Sequence, residues 1–144
     1  MIRLGTTELQ WISALERLTR TQAEDCVGDA QRVIYVVRPG EARRTLRDPE
    51  AIQRLERALQ RKIKLVESSP DPARFLADAF APVQVETVAL EEQEGSRKAY
   101  VQVPKLYRGV AIGKGGRNIA LIRQLARRHL GIDEVVVGAQ LKGR

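Results

Sequence analysis

Gly109-Val110-Ala111-Ile112-Gly113-Lys114-Gly115-Gly116-Arg117-Asn118-Ile119 holds the glycine cluster of this chain. The stretch between Pro104 and the cluster, about Leu106–Ala111, reads as a short helix, and Arg117–Leu130 reads as a longer one stopped by Gly131. A glycine loop directly before a helix is an anion site. The helix's first N–H groups and the positive end of its dipole point into the loop, and residues without a Cβ let a phosphodiester approach the main chain. Lys114 at the tip and Arg117 one turn on add cationic charge, while Ile112 and Ile119 are expected to line a narrow apolar groove beside it. Such a groove suits single-stranded bases, not a duplex.

Other glycine motifs fail on spacing. A Walker loop needs G-x-x-x-x-G-K-[ST], but three residues separate Gly109 from Gly113, and Gly115 stands where a magnesium-binding hydroxyl is required. A dinucleotide fingerprint needs a third glycine at position 118, which is Asn, and a strand rather than a helix upstream.

The charge distribution agrees with a polyanion partner. The chain has 144 residues, with 25 Lys+Arg against 18 Asp+Glu and a net charge of +7. Residues 1–80 carry 14 basic and 12 acidic side chains, residues 81–144 carry 11 and 6, so the excess lies in the second part. From Gly95 to Ile132 there is no acidic residue, and nine basic ones occur: Arg97, Lys98, Lys105, Arg108, Lys114, Arg117, Arg123, Arg127 and Arg128. An apolar fraction of 43% beside 30% charged residues belongs to a folding chain. No apolar run of about 18 residues and no secretory h-region is present, so a cytoplasmic chain without a membrane span is expected.

Outward from the loop, punctuation and periodicity outline two similar halves. Thr7 and Gln10 have capping-box spacing, and Leu9, Ile12, Leu15 and Leu18 continue it as a helix over about 7–20. Ala23–Val27 and the β-branched Arg32–Arg38 read as strands. Asp48-Pro49 opens a helix to about Gln60, and Lys62–Glu67 closes the half as a strand. Ser69-Pro70-Asp71-Pro72 separates the halves and opens a helix with Phe75, Leu76, Ala79 and Phe80 inward. Val83–Leu90 and Lys98–Val103 read as strands around a polar hairpin loop, Glu91–Ser96, and Glu134–Val137 as the last strand.

A shift of 67 residues lays Val33, Ile34, Val36 and Arg38 on Tyr100, Val101, Val103 and Lys105, and Ile52, Leu55 and Leu59 on Ile119, Ile122 and Ala126, without gaps. The expectation is an α+β chain of two units, 1–68 and 69–144. Each is helix, strand, strand, helix, helix, strand, a three-stranded sheet with helices packed on one face. Units of this size are marginal alone, so the two are expected to pack together.

The segment from Gly109 to Ile119 resembles the I-G-x-x-G signature of KH domains, and the element order resembles the type II, prokaryotic form. Two such units in tandem, with Ala81-Pro82-Val83 at the junction, resemble the short archaeal form of the NusA family of transcription termination/antitermination factors, over essentially the whole chain. The resemblance implies binding of single-stranded RNA during transcription, with effects on pausing, termination or antitermination through contact with RNA polymerase. Bacterial members carry a polymerase-binding domain and an OB-type domain ahead of the KH pair, and these 144 residues have room for neither. The residues expected to meet RNA are Ile112, Gly113, Lys114, Gly115, Gly116, Arg117, Asn118 and Ile119, with Lys105, Arg108, Arg97 and Lys98 as accessory cations.

The first unit departs from the pattern. Its counterpart of the loop is Leu46-Arg47-Asp48-Pro49, which has no glycine. Pro49 has no N–H to offer, and Asp48 as a helix cap fills the donors and repels an anion. Arg43, Arg44 and Arg47 are either a diffuse attraction for RNA or a solvated face.

An enzyme is not expected. The single His129 would have to serve every acid–base scheme, Glu91-Glu92 sit in a polar loop, and one cysteine with one histidine make neither a disulfide nor a zinc cage. His129 is read as a helix-end or packing residue, Cys26 as a buried apolar one, and Trp11, Phe75 and Phe80 as core. No cofactor is expected, and the expected state is a monomer. Two further readings stay open, since fold does not fix function: an RNA-binding role in ribosome assembly or RNA decay, and a protein-docking adaptor.

Overall fold

A run of β-branched residues makes the centre of the first sheet, and the helices are hung around it. The structure, a computed structural model, describes residues 4–138 and divides into two compact units that meet between Ser68 and Ser69. In the first, α1 (Thr6–Thr19), β1 (Ala23–Gly28), β2 (Arg32–Val37), α2 (Glu41–Leu46), α3 (Pro49–Leu59) and β3 (Lys62–Glu67) follow in order. β2 is the middle strand, antiparallel to β1 and parallel to β3. A parallel pair needs a crossover, and α2 with α3 supplies it. Alternate residues share a face, so Val33, Tyr35 and Val37 pack together with Trp11, Ala14 and Leu15 of α1 and Leu55 of α3. The buried Tyr35 phenol donates to the Trp11 carbonyl at 2.7 Å, which gives its hydroxyl a partner in that apolar layer.

The second unit repeats the order with α4 (Pro72–Phe80), β4 (Thr87–Gln93), β5 (Ser96–Gln102), α5 (Arg108–Ile112), α6 (Arg117–Leu130) and β6 (Glu134–Val137). Short 3-10 turns at Lys105–Tyr107 and Lys114–Gly116 precede α5 and α6. β5 is central, antiparallel to β4 and parallel to β6. α6 buries Ile119, Ile122, Leu125 and Ala126 and packs on α4 and β6. Phe75 and Phe80 of α4 are fully buried, and the His129 ring stacks on Phe75 with centroids 5.6 Å apart. Among the described residues no helix is long and apolar enough to cross a membrane.

Both Asp-Pro pairs start helices as expected. Asp48 accepts the Ala51 N–H at 3.2 Å and Asp71 accepts the Ala73 N–H at 3.1 Å, with Pro49 and Pro72 where a missing N–H is harmless. The start of α1 is a correction. Gly5 is its N-cap, the Glu8 carboxylate accepts the Gly5 N–H at 2.8 Å, and Thr7 lies inside the first turn rather than capping it. The second hairpin is another. β4 begins at Thr87, not Val83, and runs through Glu91 and Glu92, which pair in register with Lys98 and Arg97 on β5, and the Tyr100 hydroxyl donates to the Glu91 carboxylate at 3.2 Å. The turn itself is only Glu94-Gly95, both at positive φ, the backbone a tight hairpin needs. The gap-free repeat also fails at its end. Ile34 pairs with Lys64 and Val101 with Val137, a larger separation than 67, to which the longer α6, 14 residues against 11 in α3, contributes only part.

Candidate nucleic-acid interface

The loop between α5 and α6 is set by three glycines with different constraints. Gly113 has φ 84° and ψ 162°, and a Cβ there would stand 2.8 Å from both the backbone N and the Cβ of Asn118. Backbone and packing therefore both require glycine. Gly115 at φ 64° and Gly116 at φ 75° are left-handed as well, but a Cβ on either would meet nothing within 4 Å. That side of the loop is open. The Gly113 N–H donates to the Gly109 carbonyl at 2.9 Å, and the Gly116 N–H to the Gly113 carbonyl at 3.0 Å. From beneath, the Asn118 side-chain amide donates to the Ala111 carbonyl at 2.8 Å, fastening the first turn of α6 to the last turn of α5.

The N-cap of α6 is Gly116, so no side chain caps the helix, and its first turn holds no acidic residue. The positive end of a 14-residue helix thus opens without a countercharge of its own. Lys114, Gly115 and Arg117 are exposed around it, and Lys105 and Arg108, on the segment entering the loop, are exposed too.

The remaining expected residues are placed differently. Asn118 is 8% exposed and Ile119 4%, so both support the loop from inside, and Ile119 has almost no surface to line a groove. Ile112 and Gly113 are half-buried. Arg97 and Lys98 lie at the start of β5, away from the loop. The Arg97 guanidinium donates to the Leu130 carbonyl at 2.6 Å, at the other end of α6, about 20 Å along the helix from Arg117. The Arg97 N–H also meets the Asp133 carboxylate at 2.8 Å, and Lys98 lies 3.9 Å from Glu134. Arg123 and Arg127 donate to the Val135 and Asp133 carbonyls. The acid-free stretch accordingly splits in two. Lys114 and Arg117 stand at the glycine loop, with Lys105 and Arg108 on the segment before it, while Arg97 and Arg127 bond carbonyls at the C-terminal end of α6, where the dipole favours positive charge.

One exposed patch is not announced by the sequence pattern. Leu106, Tyr107 and Val110 are 83%, 48% and 64% exposed, although Leu106 and Val110 stand at the i, i+4 spacing of an inward stripe. A helix as short as α5 attaches to its unit through Ala111, fully buried, and leaves these side chains outside.

In the first unit the corresponding turn is ordinary. Arg47 and Asp48 have φ of −69° and −116°, and the Asp48 carboxylate already occupies the start of α3. Arg44 pairs with Glu41 at 2.8 Å and donates to the Arg20 carbonyl and the Thr21 hydroxyl while its side chain stays exposed.

A family profile described as NusA-like second KH domain matches residues 72–136. Over 135 residues the chain is 38% identical to the probable transcription termination protein NusA of Halobacterium salinarum, covering 93% of this chain and 96% of the relative. The chain belongs to the NusA family. Within that family it is 28% identical over 142 residues to the NusA of Methanococcus vannielii, covering 98% of this chain and 82% of the relative. To the transcription termination/antitermination protein NusA of Mycobacterium tuberculosis it is 41% identical over 64 residues, which is 44% of this chain and 18% of that much longer relative. A solved structure, the crystal structure of APE1850, superimposes with a TM-score of 0.76 at 32% identity, covering 93% of this chain and 99% of that one. The two three-stranded sheets with their helices are thus the α+β tandem KH arrangement of NusA-like proteins.

Proposed function

We propose that this chain is a non-catalytic transcription factor that binds single-stranded RNA through the Gly113–Arg117 loop, in termination/antitermination or elongation control. The observation that carries this reading is the uncapped, acid-free start of α6 beneath two glycines whose outer side is open. Phosphates of an extended strand meet the helix N–H groups there, Lys114 and Arg117 supply mobile charge, and Lys105 and Arg108 extend the cationic rim. Asn118 and Ile119 hold the loop in shape without touching the strand. The transcription termination role in the relatives' names supports RNA polymerase as the protein partner, which co-purification of polymerase subunits tests.

Exchanging Lys114 and Gly115 together for Asp tests the loop. Gly115 sits in the left-handed region that Asp tolerates, so the variant should fold. Fluorescence anisotropy with an unstructured RNA should show a large loss of affinity, and the slope of log K against log salt should fall by about 0.7 for each phosphate that is no longer neutralised. Unchanged affinity in the folded variant sinks the assignment.

A further inference from the structure

Residues 105–110 are exposed without interruption, Lys105-Leu106-Tyr107-Arg108-Gly109-Val110. Three large apolar side chains within five residues of one short helical segment leave a projecting apolar surface that the unit does not cover. Soluble chains rarely leave such a cluster without a use. Helical spacing puts Tyr107 beside Val110 and Leu106 beside Val110, on neighbouring turns. The segment runs straight into the glycine loop: Tyr107 is six residues from Gly113, about 9 Å of helix.

The charge around this patch says what covers it. Lys105 and Arg108 flank Tyr107, Lys114 and Arg117 follow, and no acidic side chain occurs between Gly95 and Ile132. The exposed Arg108 side chain lies over Gly138 at the end of β6, where a Cβ would come within 2.9 Å of its guanidinium carbon. An apolar surface with an aromatic ring, whose charged neighbours along the chain are all cations, matches a strand that has stackable bases on a phosphate backbone.

We propose that Leu106, Tyr107 and Val110 form a stacking platform for the nucleotides next to those held by the glycine loop, with Tyr107 as the ring on which a base lies. This deepens the reading of the loop and rests on it. The platform lengthens the strand that the second unit holds beyond the roughly four nucleotides of a KH loop. Stacking is tolerant of base identity, so the gain concerns length and not sequence.

The test compares Tyr107→Ala, Tyr107→Phe and the Lys114/Gly115→Asp variant on unstructured RNAs of about four and about ten nucleotides. Tyr107→Ala should weaken binding of the longer RNA about five-fold or more and leave the shorter one unchanged, which is the usual range for loss of one base–aromatic stack. Its salt slope should stay at the wild-type value, because no phosphate-binding group is touched. Tyr107→Phe should keep the affinity, since the ring and not the hydroxyl is used. If the loop variant loses both RNAs while Tyr107→Ala loses neither, the loop stands and the platform is overturned. If the loop variant binds both like wild type, the loop reading falls and takes the platform with it. Retained RNA affinity in Tyr107→Ala together with lost capture of polymerase subunits makes the patch a protein-docking surface, which also overturns the proposal.

Discussion

Replacing Gly113 by Ala should be far more damaging than the same change at Gly115, although both lie in one loop. At Gly113 the new side chain meets two penalties. Its φ of 84° with ψ of 162° lies outside the regions open to a residue with a Cβ, a strain of about 1–3 kcal/mol. The methyl would also stand 2.8 Å from the N and Cβ of Asn118 and 3.3 Å from its Cα, so relief requires the start of α6 to move. That movement pulls on the Asn118 to Ala111 hydrogen bond. Together these should remove about 3 kcal/mol or more of stability from the second unit. At Gly115, φ 64° is ordinary left-handed helix and the space is open, so about 1 kcal/mol is expected. With a urea dependence of about 1 kcal/mol per molar for a unit of this size, the two midpoints should differ by about 2 M. Amide exchange followed on peptides from α6 reads the second unit, while fluorescence of Trp11, the only tryptophan, reads the first. Equal midpoints for the two variants would refute the packing argument, and a shift confined to the Trp11 signal would place the strain in the wrong unit.

The other predictions concern the first unit. Burial holds the Tyr35 phenol far above the ordinary tyrosine value, so the fold favours its neutral form, and the neighbouring Cys26 pushes the same way. The stability this represents is complete below about pH 10 and is lost as pH rises above it, by about 1.4 kcal/mol per pH unit. Urea midpoints should therefore fall more steeply between about pH 10 and 12 in wild type than in Tyr35→Phe, and parallel curves would contradict this. Asp48→Gly should lower stability by only a few tenths of a kcal/mol and leave RNA affinity unchanged or higher. A large loss of affinity in anisotropy would mean that the first unit clamps the strand after all.

Elements with strong local chemistry were legible in the sequence. The β-branched run of β2, the two Asp-Pro helix starts and the Gly131 stop of α6 all lie where the pattern puts them, because each is decided by residues within one turn of the boundary. Features decided across the fold were not. α2 carries no apolar stripe, and its one buried residue is Thr45, whose hydroxyl bonds that of Thr21, so only the repeat with the second unit, and no local pattern in Glu41–Leu46, calls for a helix there. Glu91 and Glu92 look like loop until their strand partners, Lys98 and Arg97, are known. At the interface, the glycine loop was legible from spacing, whereas the roles of the surrounding side chains depended on burial. Ile119 and Asn118 turned inward, Arg97 and Lys98 turned to the far end of α6, and Leu106, Tyr107 and Val110 turned outward.

The two units differ most simply in what stands at the start of the helix after the turn. In α3 a covalently attached carboxylate, that of Asp48, fills the position, so this helix is complete in the free protein. In α6 the N-cap is Gly116, and no side chain fills the position. A phosphate arriving there would complete α6 from outside, and its binding energy would add to the stability of that unit alone, by about 2.7 kcal/mol at a hundred times the dissociation constant. On the proposed reading, the melting temperature of the second unit would track the concentration of that phosphate ligand, while the first, with Asp48 as its own substitute, would stay indifferent to it.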